Sequence, residues 1–117
     1  MTFSKNGLLL LGFLFCLATK PLHHGWANYD QDTTLDYVGT IQKSTYENPH
    51  TTAIVKNNQK TWTVILAPVS RMQARGVKAN MLKPGSSIQV VGYPHKEIKD
   101  EMRAERIFIN GTKYELR

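Results

Sequence analysis

The chain is poor in cysteine, and this limits how its fold is held together. Its single cysteine, Cys16, lies in an apolar stretch near the start of the 117 residues. One cysteine cannot form a disulfide within the chain. The domain that follows must therefore be stabilised by packing and hydrogen bonds, even in a compartment that permits disulfides.

Sequence motifs of known catalytic classes are also missing. The sequence contains no G-x-S-x-G, no H-E-x-x-H and no glycine-rich phosphate loop. No thiol follows Cys16, so the usual nucleophiles are not marked either. We therefore expect a protein that is not an enzyme.

Positive charge is in excess but forms no run. The chain has 15 Lys and Arg against 9 Asp and Glu, for a net charge of +6. Scattered cations are typical of a solvated surface. Together with the export predicted below, this argues against a nucleic-acid partner.

The N-terminus has the pattern of a secretory signal. Lys5 precedes twelve uncharged residues, from Gly7 to Ala18, a length that suits a signal peptide and is too short to span a bilayer. Residues 1–18 are predicted to be removed, with cleavage after Ala18 or, at a second small-x-small site, after Ala27. The mature protein is then periplasmic or secreted and has no transmembrane segment.

The rest of the chain divides into a polar arm at residues 19–33 and one domain at residues 34–117. Alternating apolar residues predict a first strand from Leu35, and strands rich in Thr, Ile and Val follow. The predicted elements after the first strand are strands at 50–55 and 61–67, a short helix capped by Ser70, strands at 87–93 and 104–109, and a last strand at 114–116. The charged stretch 95–103 is predicted to be a loop.

This element order indicates a small, mainly β fold. Five or six short strands with one short helix between the third and fourth predict a partly open barrel of the OB type. A β-sandwich and a plain curled sheet are the alternatives.

Histidine is the residue type that most suggests a site. Neutral imidazole is a common ligand for copper and zinc. All four histidines are therefore candidate metal ligands, and they are His23, His24, His50 and His95. The alternative is that His50 hydrogen-bonds a neighbouring loop and that His23 and His24 lie in a solvated arm.

Three further residues are candidates for binding an organic ligand. Trp26 and Tyr29 follow the paired histidines, and Asn48 precedes the Pro49-His50 step. Amphipathic aromatics either line a pocket or pack the arm onto the barrel.

Several motifs together resemble a known family. His23-His24-Gly25-Trp26 after a leader and Asn48-Pro49-His50 between two strands are similar to an uncharacterised, domain-of-unknown-function family of short exported bacterial proteins. Leu66-Ala67-Pro68 and Gly92-Tyr93-Pro94 are also similar to it. The resemblance implies export and a small β fold, and it implies no established activity.

Two functions follow from these residues. The first is a non-catalytic binding module of the cell envelope that binds copper or zinc through histidines. The second is an OB-like module that binds an envelope protein or a small ligand, with structural histidines.

Overall fold

The computed structural model describes residues 25–58 and 60–117. Its strands are β1 (Leu35–Thr45), β2 (Thr52–Asn57), β3 (Lys60–Ile65), β4 (Ser87–Pro94), β5 (Glu101–Ile109) and β6 (Thr112–Glu115). One α-helix, α1 (Val69–Ala74), and two 3₁₀ turns at Trp26–Asn28 and Ala79–Leu82 complete the elements. The predicted signal peptide, His23 and His24 lie outside the described residues.

The strands form a closed five-stranded barrel with one extra strand. The sheet order is β3-β2-β1-β4-β5-β6, and a parallel pairing of β3 with β5 closes the ring. Three residue pairs make this closure, Thr63–Glu101, Val64–Met102 and Ile65–Arg103. The helix between β3 and β4 and this strand order confirm the predicted OB-like barrel.

Alternation along the strands places the core inside the barrel. Ile41, Val55, Val64, Ile88 and Met102 are each at most 1% exposed, and their strand neighbours point outward. Met72 of α1 and Leu82 of the second 3₁₀ turn are fully buried and belong to the same cluster.

The helix start differs from the prediction. The residue that caps α1 is Pro68, and no side-chain cap bond is made at that position, so Ser70 does not serve as its cap. The first helical N–H, that of Val69, instead donates to Oδ1 of Asn48 at 3.1 Å. An asparagine from the β1–β2 loop takes the place of a local cap, which sequence spacing cannot reveal.

The predicted loop at 95–103 is also shorter than expected. β5 begins at Glu101, because Met102 and Arg103 pair with β3 and Met102 and Ala104 are buried. Glu101 and Arg103 occupy the outward positions that alternate with these apolar residues. Their charges led to the prediction of a loop.

The arm packs against the barrel where the structure describes it. Asp30 N donates to the carbonyl oxygen of Pro94 at 2.8 Å, and Lys96 N donates to that of Asn28 at 2.9 Å. Tyr29 forms a β-bridge with His95 and is 6% exposed. Among residues 25–58 and 60–117, no helix is both long enough and apolar enough to cross a membrane.

Candidate ligand-binding cavity

An open cavity of about 600 Å³ lies on the outer surface of β2, β3 and β5. It is bounded by the β1–β2 loop on one side and by the β4–β5 loop and the arm on the other. The lining residues come from five separate parts of the chain, namely Asn28, Tyr29, Pro49, His50, Thr52, Ile65, His95, Ile98, Glu101 and Arg103. In OB folds, the face of the second and third strands and these two loops is where ligands bind.

The floor of the cavity is set by strand register. Thr52 pairs with Ile65, and Ile65 pairs with Arg103, so these three side chains form one row across three strands. Their neighbours Ala53 and Met102 are buried in the core. Because successive side chains alternate between faces, the row lies on the outer face.

The wall from the β1–β2 loop carries His50. Thr51, the next residue, donates its N–H to Ala67 and accepts from Leu66, both at 2.8 Å. Asn48, two residues earlier, is held by Val69, and the Asn48–Pro49 peptide bond is cis. The hydrogen bonds of Asn48 and Thr51 therefore fix the backbone on both sides of His50.

His95 is oriented by the backbone of its own loop. Its Nδ1 accepts two hydrogen bonds, from Glu97 N at 3.0 Å and from Ile98 N at 2.9 Å. An acceptor Nδ1 assigns the proton of the neutral ring to Nε2. His95 therefore presents an N–H donor, whereas a metal ligand needs an unprotonated nitrogen.

Tyr29 and Glu101 form a polar pair at the wall made by the arm. The Tyr29 hydroxyl donates to Oε2 of Glu101 at 2.7 Å, and the Tyr29 ring meets His95 edge to face at 5.0 Å. Burial first, and then the Glu101 carboxylate, raise the pKa of Tyr29 above its usual value. The hydroxyl thus stays a neutral donor, and one oxygen of Glu101 is already used.

Arg103 brings a buried cation to the cavity. Arg103 is 7% exposed, and its guanidinium carbon lies 4.4 Å from the centroid of the Trp26 ring. Burial is the largest cause that lowers the pKa of Arg103. Arginine nevertheless keeps its proton in proteins, so the cavity contains a positive charge held by an aromatic ring.

The structure brings together three of the seven candidate residues. His50, His95 and Tyr29 all line the cavity. Trp26 packs behind the lining on Arg103, and Asn48 holds the start of α1. His23 and His24 are outside the described residues, although they directly precede Gly25 in the sequence.

Glu101 and Arg103 line the cavity but were not predicted from the sequence as site residues. Both fall in the stretch 95–103 that was predicted to be a loop. The signal was present, since Glu101 and Arg103 alternate with the apolar Met102 and Ala104. That alternation extends the predicted strand by three residues and places both charges on one face.

The described part of the chain contains no group of three or more His, Cys, Asp or Glu residues able to hold a metal ion. His50 and His95 nevertheless share one cavity. The metal assignment of the four histidines stays a prediction.

A family model matches residues 13–103. The chain belongs to DUF6152, a family of unknown function. The DUF6152 match covers every residue that lines the cavity and ends before β6. No curated protein matches the chain.

Proposed function

We propose that this DUF6152 protein is an exported, non-catalytic binding module of the cell envelope, periplasmic or secreted, that holds a small ligand in the cavity. One observation carries the proposal. Segments that are distant in the sequence place His50, His95, Glu101 and Arg103 around a single open cavity. Pockets that combine apolar walls with a few fixed polar groups are the usual form of a ligand site.

The chemistry of the lining indicates the kind of ligand. Arg103 and the Nε2–H of His95 supply donors, while one oxygen of Glu101 is engaged by Tyr29. Pro49, Ile65 and Ile98 supply an apolar surface. A small organic acid with an apolar body complements this arrangement, because its carboxylate meets the donors and its body meets the isoleucines.

The test is an NMR titration of the mature protein with benzoate and hexanoate. We expect amide shifts at the cavity residues, and a cavity-filling Thr52→Trp variant to weaken binding by about tenfold or more. Tryptophan suits an outward strand position, so this variant preserves the fold.

The matched control is Thr61→Trp, which adds the same side chain to an exposed position of β3 away from the lining. It should bind as the parent does. Shifts that avoid the cavity for both probes, or equal binding by Thr52→Trp and the parent, would contradict the proposal.

A second candidate is binding of copper or zinc through the histidines. The convergence of His50 and His95 on one cavity favours it, as does the position of His23 and His24 in the sequence, directly before Gly25. The donor role of His95 opposes it, and so does the lack of a three-residue ligand group among the described residues.

Calorimetry with copper and zinc separates the two candidates. Metal binding predicts a Kd below about 10 µM, loss of affinity in His50→Ala, and reversal by a chelator. The intact mass of the secreted protein gives the cleavage site, and so shows whether His23 and His24 are retained. If neither copper nor zinc binds, the metal candidate fails and the organic-ligand proposal is left to the NMR titration.

A further inference from the structure

Two large apolar side chains are exposed in the part of the chain that the structure describes, and only one of them lies at the cavity. Val38 of β1 is 57% exposed, and Ile98 of the β4–β5 loop is 52% exposed. Ile98 lines the cavity, whereas Val38 does not. A single exposed apolar residue is common on protein surfaces and indicates nothing by itself. The surroundings of Ile98 are what distinguish it from Val38.

The backbone of Ile98 is fixed although its side chain is exposed. Its N–H donates to Nδ1 of His95 at 2.9 Å, and its carbonyl oxygen accepts from the N–H of Glu101 at 3.4 Å. The N–H of His95 donates to the carbonyl oxygen of Glu101 at 2.9 Å, and the His95 ring packs edge to face against Tyr29. The loop is therefore tied to its own two ends, and the exposed isoleucine is held at one place on the cavity.

Three residues from separate segments supply the apolar part of the lining. Ile98 comes from the β4–β5 loop, Pro49 from the β1–β2 loop and Ile65 from β3. Pro49 is exposed and Ile65 is partly exposed, so both keep apolar surface in contact with water, as Ile98 does. An apolar group that covers these surfaces removes that contact, which is favourable.

One imidazole ring links this apolar surface to a polar one. Because Nδ1 of His95 accepts from the N–H of Ile98, the proton of the neutral ring lies on Nε2. The loop therefore carries a hydrogen-bond donor and an exposed alkyl group in fixed relation to each other. A carboxylate ligand that accepts from His95 contacts Ile98 only through its apolar body, so the length of that body decides how much of Ile98 is covered.

We propose that Ile98 is a specificity-determining residue of the cavity and selects carboxylates with an extended alkyl chain over short ones. This inference rests on the proposed function, because it assigns a ligand class to that same cavity. Each methylene that leaves water raises the affinity by up to about fourfold. A chain that covers Ile98 gains this affinity, and a chain too short to reach Ile98 does not.

The experiment is an NMR titration of the mature protein with butyrate, hexanoate and octanoate. The affinity of the parent should rise by about threefold for each added methylene. Ile98→Ser should weaken octanoate binding by about tenfold and butyrate binding by less than about twofold. Serine keeps the backbone N–H that donates to His95, so the loop is retained. Ile98→Leu keeps the apolar area and should bind octanoate nearly as the parent does.

The matched control is Val38→Ser, which removes an equally exposed apolar side chain from a position outside the lining. It should bind all three acids as the parent does. Binding at the cavity that does not depend on chain length, equal weakening of butyrate and octanoate by Ile98→Ser, or the same loss in Val38→Ser would overturn the role of Ile98 and leave the cavity proposal standing. If none of the acids shifts the amide signals of the cavity residues, both proposals fail.

Discussion

Two hollows of similar volume lie at opposite ends of the β4–β5 hairpin. The cavity near His95 and Glu101 has about 600 Å³, and the hollow near Ser87 and Ile109 has about 530 Å³. The second is lined by the larger side chains of Met81, Ile109 and Tyr114 and by six polar residues, namely Asn80, Lys83, Ser86, Ser87, Asn110 and Thr112. Volume alone does not distinguish them.

The difference lies in how their side chains are held. In the first cavity, Tyr29 is bonded to Glu101 and His95 to two backbone N–H groups. In the second, Asn80, Lys83 and Asn110 are exposed, and Asn110 belongs to a tight hairpin turn. Ionisable groups held in fixed positions distinguish a site from a gap between surface loops.

The largest difference in the free energy of unfolding is expected when a glycine beside each hollow is replaced by alanine. Gly92 lies at a bulge of β4 opposite Ala104, where a Cβ would overlap the carbonyl oxygen of Arg103. Gly92→Ala should cost about 3 kcal/mol or more of the free energy of unfolding, because backbone must move. Urea unfolding of the purified variant measures this cost.

Gly111→Ala is the matched variant at the second hollow. Gly111 has a φ of +81°, and a Cβ there meets no atom within 4 Å. Its cost should be about 1–2 kcal/mol, from the left-handed backbone alone. Equal costs for the two alanines would mean that the floor of the cavity is not rigidly packed.

An intermediate effect is expected from Tyr29→Phe. Loss of the hydroxyl leaves Oε2 of Glu101 without its donor and should cost about 1–2 kcal/mol at neutral pH. At alkaline pH, the stability of the variant should also depend less on pH than the stability of the parent does. Burial raises the pKa of Tyr29 in the folded protein, so its contribution is complete below about pH 10 and is lost as the pH rises toward the folded pKa.

Thermal unfolding from pH 8 to pH 12 checks this profile. The pKa of Tyr37 is also raised by burial. Tyr29→Phe should therefore still lose some stability as the pH rises. Glu101→Gln is the control, since its amide oxygen still accepts from Tyr29. A profile of Tyr29→Phe parallel to that of the parent would contradict the assigned burial.

The smallest effect is expected from Asp100→Asn at the rim of the first cavity. The ion pair of Asp100 with Lys60 has 3.0 Å between Nζ and Oδ1, and both side chains are over 40% exposed. Water and salt screen such a pair, so the cost should be below about 0.5 kcal/mol. Asparagine also tolerates the φ of +64° at this residue.

Melting temperatures at low and high salt test this prediction. A loss above about 1 kcal/mol, or one that is insensitive to salt, would show that Asp100 organises the rim rather than pairing at the surface.

Local sequence was enough to predict most of the barrel. The alternation at Leu35, Tyr37, Gly39 and Ile41 and the Asn110-Gly111 turn identify strands and a hairpin, because both signals act within a few residues. Gly76, with a φ of +89°, follows the end of α1, where a glycine in the left-handed region commonly stops a helix. The element order then favoured an OB-like barrel over a β-sandwich or a curled sheet.

The cap of α1 and the start of β5 could not be predicted from local sequence. The Val69 N–H bonds to Asn48, which lies 21 residues earlier, and Glu101 enters a strand because β3 pairs with it. Both depend on contacts between segments that are far apart in the chain.

The sequence by itself determined the strand pattern, the turns and the choice of His50, His95 and Tyr29 as site candidates, since residue type and spacing act locally. Only the tertiary structure decided that these residues share one cavity with Glu101 and Arg103, and that Trp26 gathers guanidinium groups from β5 and the C-terminal end. The physical reason is that barrel closure sets which distant side chains meet, and this depends on register across strands rather than on any single segment.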